Sequence, residues 1–173
     1  MKAVLMSIQP YWVFLIIARK MEWHIDKDKT IEVRKNFPKD QGWSRTVEIY
    51  CSKDKKSFSQ IPKKYQPLMK KFLGKVIGEF VCDRIAGESE TIRGNTGLSV
   101  EELQDYCDGK DIYGWHISDL KIYEEPKELG EFFHACKQPS GTDCSKCIDR
   151  REKTCYSITR PPQSWCYVEE LQE

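Results

Sequence analysis

Lys29-Thr30-Ile31-Glu32-Val33-Arg34 alternates residue by residue, with Ile31 and Val33 on one side and Thr30, Glu32 and Arg34 on the other. Side chains two apart on an extended chain share a face, so the pattern predicts a strand whose apolar side meets the core. Glu32 and Arg34 then stand side by side, roughly 6.7 Å apart along the strand. Two uses are open to such a pair. The groups hold each other as a surface ion pair, or they present an acceptor and a fork of donors to a flat polar ligand. Lys29 sits at the mouth of the strand, from which its ammonium can swing toward the same ligand.

Working outward, residues 3–8 read as a short buried strand closed by Gln9-Pro10, and residues 11–20 as a helix apolar on nearly all sides. Residues 45–51 alternate again, with Val47, Ile49 and Cys51 inward. Residues 62–73 predict a helix with Pro62 near its start and Gly74 just past its end. Strands follow at 75–84 and 113–123, with a helix between them that Ser99 caps, Glu102 completing a capping box. A short helix at 126–133 and a last strand at 165–170 complete the series. About six strands with helices at irregular intervals do not fit a doubly wound sheet. They favour an α+β fold, a small, mostly antiparallel β-barrel flanked by three or four helices.

The 173 residues suit one domain, 1–173, with a Cys-rich loop inserted at about 134–160. A charged fraction of 32% and a mean hydropathy of −0.63 exclude a membrane protein. The longest apolar run, residues 11–18, falls far short of the roughly 20 residues that cross a bilayer. Gln9-Pro10 interrupts the apolar start and no small-x-small site follows, so the expected location is cytoplasmic. Thiols stay free in such a compartment. Lysine and arginine (28) nearly cancel aspartate and glutamate (27), which excludes coating nucleic acid by bulk charge. The balance hides a gradient: residues 45–75 carry a net +7 and residues 83–132 a net −8. Either these are two solvated faces, or Lys53, Lys55, Lys56, Lys63 and Lys64 form a phosphate-contacting rim.

Several separated stretches share a further pattern. Ser7-Ile8-Gln9-Pro10-Tyr11-Trp12 leads into the apolar helix, and Lys29, Glu32 and Arg34 follow at the spacing G-x-K-x-x-E-x-R. Gly74-Lys75-Val76-Ile77-Gly78-Glu79-Phe80 supplies a second strand. In these places the chain resembles the ASCH family of the PUA-like superfamily. Residues 114–123 and Arg160-Pro161-Pro162-Gln163-Ser164-Trp165 look like its phage and Gram-positive branch. The resemblance implies a PUA-like barrel whose cleft, in relatives, accepts RNA or a modified nucleoside. Carried over position by position, Lys29, Glu32 and Arg34 line that cleft. Two departures stand out: Lys27 occupies the position of the motif glycine, and the connector 21–28 is longer than usual.

Thr30, Tyr50 and Trp165 are the further ligand-binding candidates, since every base offers a π-face to an aromatic ring. Core packing is the simpler reading for Trp12 and Trp115, whereas Trp165 follows a polar turn and reads as a lid or platform. Some relatives are small amidohydrolases that deacylate acetylated cytidine, and one is described as a ribonuclease. On that alternative Lys29 and Glu32 are the catalytic candidates, Glu32 as general base and Lys29 holding an oxyanion. The deacylating relatives carry threonine where this chain has Glu32. No organic cofactor is expected.

Cys136, Cys144, Cys147 and Cys155 are spaced C-x7-C-x2-C-x7-C. The central C-x2-C lets two thiolates reach one tetrahedral ion, so the quartet is a candidate for a closed, structural Zn2+ site. The segment has few apolar residues, and a metal would supply the folding energy that these lack. Four free cysteines in a loop are the other reading.

Overall fold

A computed structural model of the chain describes residues 2–39, 44–135 and 156–171. β1 (Lys2–Ile8) runs into Gln9, and Pro10 takes the first position of α1 (Pro10–Ala18), where a missing N–H breaks no hydrogen bond. Seven of the nine α1 residues are buried, as an unbroken apolar run requires. β2 (Ile31–Arg34) and β3 (Arg45–Cys51) follow, then α2 (Lys55–Ser59) and α3 (Gln66–Phe72). The chain continues through β4 (Val76–Cys82), β5 (Ile85–Ala86), α4 (Glu88–Arg93), α5 (Val100–Cys107), β6 (Tyr113–His116) and β7 (Ser118–Lys127). A 3-10 turn at Leu129–Glu131 and β8 (Trp165–Glu169) complete it.

The strands form two sheets, in the orders β7-β4-β3-β1-β8 and β2-β6-β5. Every pairing is antiparallel except β1 with β3. The α+β, mostly antiparallel expectation therefore holds, but the expected barrel is not closed. The run 113–123, which reads as a single strand, changes sheet midway, breaking at Ile117 into β6 and β7, while the run 75–84 ends at Cys82 as β4 and the short β5 beyond it joins the other sheet. Where a barrel seam would join β2 to β1, no backbone ladder forms. Instead the Arg34 guanidinium donates to the Ser7 carbonyl at 2.7 Å.

Both faces of the five-stranded sheet are covered. Val4, Met6 and Ile8 of β1, with Val47, Ile49 and Cys51 of β3, meet α1 and Trp115 on one face. Ala3, Leu5 and Tyr50 meet Phe132, Ile158 and Val168 on the other. Gly78 permits the close approach of β7, since a Cβ there would stand 2.2 Å from the Lys121 carbonyl oxygen.

The Ser99 capping box at α5 is present: Ser99 Oγ accepts from the Glu102 N–H (3.2 Å), and Glu102 Oε2 accepts from the Ser99 N–H (2.8 Å). Two helices differ from expectation. Pro62 lies in a turn before α3, which starts at Gln66, and Pro126 lies in β7, an edge strand that tolerates a proline. Among the described residues no helix is long and apolar enough to cross a membrane.

Glu48 sits at the centre of the sheet's second face, 1% exposed and directly across from Glu79. The Tyr123 hydroxyl donates to Glu48 Oε2 at 2.7 Å. Burial, reinforced by the Glu79 carboxylate and opposed by the tyrosine bond, raises the Glu48 pKa from 4.5 to about 7. The folded chain thus binds this proton more tightly than the unfolded chain. Stability is unaffected below about pH 4.5, falls through the window from 4.5 to 7, and stays reduced above it. The full cost is on the order of 3 kcal/mol at 1.36 kcal/mol per pH unit. Glu48→Gln is expected to match the parent in urea denaturation at pH 4.5 and to exceed it by about 1–3 kcal/mol at pH 8. Equal parent and variant stability at pH 8 would refute this account.

Candidate functional site

β1 and β3 lie side by side and parallel, and both end at the same edge of the sheet, with Ser7 registered beside Tyr50. The C-terminal ends of parallel strands leave a crevice, because the connections diverge from that edge. Here the crevice is a cavity of about 450 Å³. Ser7 and Gln9 enter it from the end of β1, and Tyr50, Ser52 and Asp54 from the end of β3. Trp12 enters from α1, Lys29, Glu32 and Arg34 from β2 and its approach, Tyr106 from α5, and 161–163 from the strap before β8.

The strand pattern that begins at Lys29 is realised with one change. Ile31 and Val33 are buried, Val33 against Leu103 and Ile112, but the opposite face is not in water. Glu32 is 5% exposed and bridges two cations: its Oε1 lies 2.8 Å from the Arg34 guanidinium and its Oε2 3.3 Å from Lys29 Nζ. The ion pair and the ligand-facing arrangement, alternatives on sequence grounds, coexist. Lys29 does not swing freely. It is 4% exposed and donates to the Thr96 carbonyl at 2.5 Å, with the Trp12 ring centroid 5.4 Å from Nζ. Burial lowers the Lys29 pKa; Glu32 opposes the shift and Arg34 adds to it.

Among the described residues, four buried side-chain polar atoms lack a hydrogen-bond partner: Ser7 Oγ, Glu32 Oε2, Arg34 Nε and Ser52 Oγ. All four belong to residues that line this cavity. Buried polar groups are paired in some 90% of cases, and each unpaired one costs about 1–3 kcal/mol. Glu32 Oε2 keeps its ion pair with Lys29, but no hydrogen bond. The cavity thus offers a fixed acceptor, a fixed donor and two hydroxyls of either sense, beside the rings of Trp12, Tyr50 and Tyr106.

Lys29, Glu32, Arg34 and Tyr50 therefore meet in one site, and two other candidates do not. Thr30 is absent from the lining, and its backbone is engaged with Asn95 and Ile117. Trp165 is also absent from the lining: its indole N–H donates to Asn36 Oδ1 at 2.7 Å and its ring meets Trp115 edge-on at 5.8 Å, packed against the core. Trp12, read as core, faces the cavity. Ser7, Ser52, Asp54 and Tyr106 carried no sequence signal, since they become neighbours only through the parallel pairing of β1 with β3 and the docking of α5. Cys136, Cys144, Cys147 and Cys155 lie outside the described residues. Among the described residues no group of three or more His, Cys, Asp or Glu could hold a metal. Burial pushes the Cys51 thiol up to about 12 and the Cys82 thiol to about 11, so neither is a nucleophile.

No protein-family model matches the chain, and no curated protein matches its sequence. Solved structures do. The ASCH protein of Zymomonas mobilis aligns with a TM-score of 0.56 at 19% identity, covering 97% of this chain and 88% of that one. A serine-to-alanine mutant of that protein gives 0.57 at 17% identity over 97% and 89%. A tyrosine-to-phenylalanine mutant gives 0.51 at 18% over 75% and 77%. At such identities the likeness establishes a shared fold, and the chemistry rests on the cavity's own residues.

Proposed function

We propose that this ASCH-type fold uses its cavity to bind a planar, polar heterocycle, an RNA base or a modified nucleoside. The observation that carries the reading is the set of three buried polar atoms with no partner, Ser7 Oγ, Arg34 Nε and Ser52 Oγ, gathered on one cavity beside Glu32 Oε2, which has only its ion pair with Lys29. A nucleobase edge presents hydrogen-bond donors and acceptors together in one plane, which is what Glu32 Oε2, Arg34 Nε and two serine hydroxyls call for. Trp12, Tyr50 and Tyr106 supply stacking faces at about 1–3 kcal/mol per base. The resemblance to ASCH proteins supports the same ligand class.

Titration with a panel of ribonucleosides, acetylated cytidine among them, should give saturable binding that Arg34→Ala weakens by about tenfold or more. No binding by any member, or unchanged affinity in the variant, would defeat the proposal.

One observation favours a second reading, in which the cavity is that of a small amidohydrolase acting on acylated cytidine, or of a ribonuclease. Glu32 and Lys29 are both buried on the cavity, Glu32 where a general base is needed and Lys29 as an ammonium, fixed by the Thr96 carbonyl, that would hold an oxyanion. Turnover of acetylated cytidine or RNA that disappears in Lys29→Ala supports this version. Binding without turnover across the panel removes it.

A further inference from the structure

α5 is a lightly anchored wall of the cavity. Of its residues only Leu103 is buried, in a small cluster with Val33 and Ile112 that is separate from the main core. Helical geometry sorts the neighbours of Leu103. At about 100° per residue, Tyr106 points about 60° to one side of it, and Cys107 and Gln104 point about 40° and about 100° to the other. The structure agrees. Tyr106, 38% exposed, lines the ligand cavity, whereas Gln104 and Cys107 line a second cavity of about 230 Å³ with Leu103, Gly109 and Ile112. A helix held by one side chain, with open volume on either side, has room to roll about that side chain.

The two ends of α5 differ. On the N-terminal side Thr96 is 1% exposed, and its carbonyl accepts from Lys29 Nζ at 2.5 Å. Gly97 (φ 80°) is packed so closely that a Cβ there would stand 2.9 Å from Leu15 and 3.3 Å from Trp12. That end is fixed. The Ser99 capping box then holds the helix together as one unit. On the C-terminal side Asp108 (φ 49°) and Gly109 (φ 70°) turn the chain in solvent, and a Cβ at Gly109 would meet nothing within 4 Å. Tyr106 and Cys107 therefore sit at the free end. Lys35 Nζ lies 5.1 Å from the Tyr106 ring centroid, a cation–π contact weaker than a stacked base.

We infer that α5 is a ligand-responsive lid, which rolls about Leu103 when the cavity fills. The roll carries Tyr106 onto the heterocycle and lifts Cys107 out of the second cavity. The inference rests on the nucleoside reading above and adds to it the way the site closes.

Cys107 is the reporter, because its half-buried thiol lines the cavity that closure opens. The full chain is alkylated with iodoacetamide, with and without the best-bound nucleoside of the panel at saturation. Mass spectrometry of the Cys107 peptide gives the rate at that thiol alone. Bound nucleoside should raise this rate by about threefold or more, as a shift toward the closed population requires. Tyr106→Ala, measured at a concentration that saturates the variant, should lose the acceleration. A Cys107 rate that bound nucleoside leaves unchanged or slows, or an acceleration that survives Tyr106→Ala, overturns the lid and leaves the nucleoside reading standing. Failure of every nucleoside to bind removes both.

Discussion

Glu32→Ala is expected to destabilise the chain by about 3–5 kcal/mol and to abolish ligand binding, a larger combined effect than that of any other cavity substitution. The carboxylate stands between the buried Lys29 on one oxygen and the partly buried Arg34 on the other. Alanine would leave an ammonium and a guanidinium facing each other with almost no solvent to screen them. Each would retain one carbonyl, Thr96 for Lys29 and Ser7 for Arg34, which does not replace a counter-charge. Glu32→Gln keeps the volume and a carbonyl acceptor but removes the charge, so its cost should be smaller, though binding should still weaken. Urea denaturation at pH 7 decides the matter: the midpoint should drop sharply in the alanine variant with little change in slope. A midpoint equal to that of the parent would show that the three groups do not depend on one another.

The second large effect belongs to Trp115→Ala, expected to cost about 3–5 kcal/mol. Trp115 is 0% exposed and is the largest fully buried side chain among the described residues. It lies on β6, paired with Glu32 across β2, yet packs into the core formed by the five-stranded sheet and α1. It therefore joins the two sheets, with its indole N–H donating to the Asn36 carbonyl at 3.3 Å and Trp165 edge-on against it. Emptying that volume should also loosen β2 and weaken nucleoside binding, although Trp115 does not line the cavity. Thermal denaturation and nucleoside titration of the same variant test both halves. A stable variant with intact binding would show that the sheets are held together elsewhere.

Local pattern carried much of this structure. The alternation at Ile31 and Val33, the apolar run of α1 and the Ser99–Glu102 capping box are each written in neighbouring residues, because burial on one face and end-capping are short-range requirements. Glu32 and Arg34 were legible as a pair for the same reason: period two on a strand puts them on one face whatever the rest of the chain does, whereas Lys29 precedes the strand and falls outside that period. Burial of the trio was not legible, since nothing in six residues says which distant segment will cover them.

Pairing between remote segments decided the rest. A run of strand-forming residues has the same alternation whether it stays in one sheet or crosses to another, so the break at Ile117, and with it the open barrel, left no trace in periodicity. The parallel alignment of β1 with β3 brought Ser7 to Ser52, 45 positions away, and made the cavity. Sequence alone determined which residues want a partner and of what polarity. Tertiary structure determined which of those wants went unmet inside the protein, because hydrogen-bond satisfaction belongs to the packed whole and not to any single element.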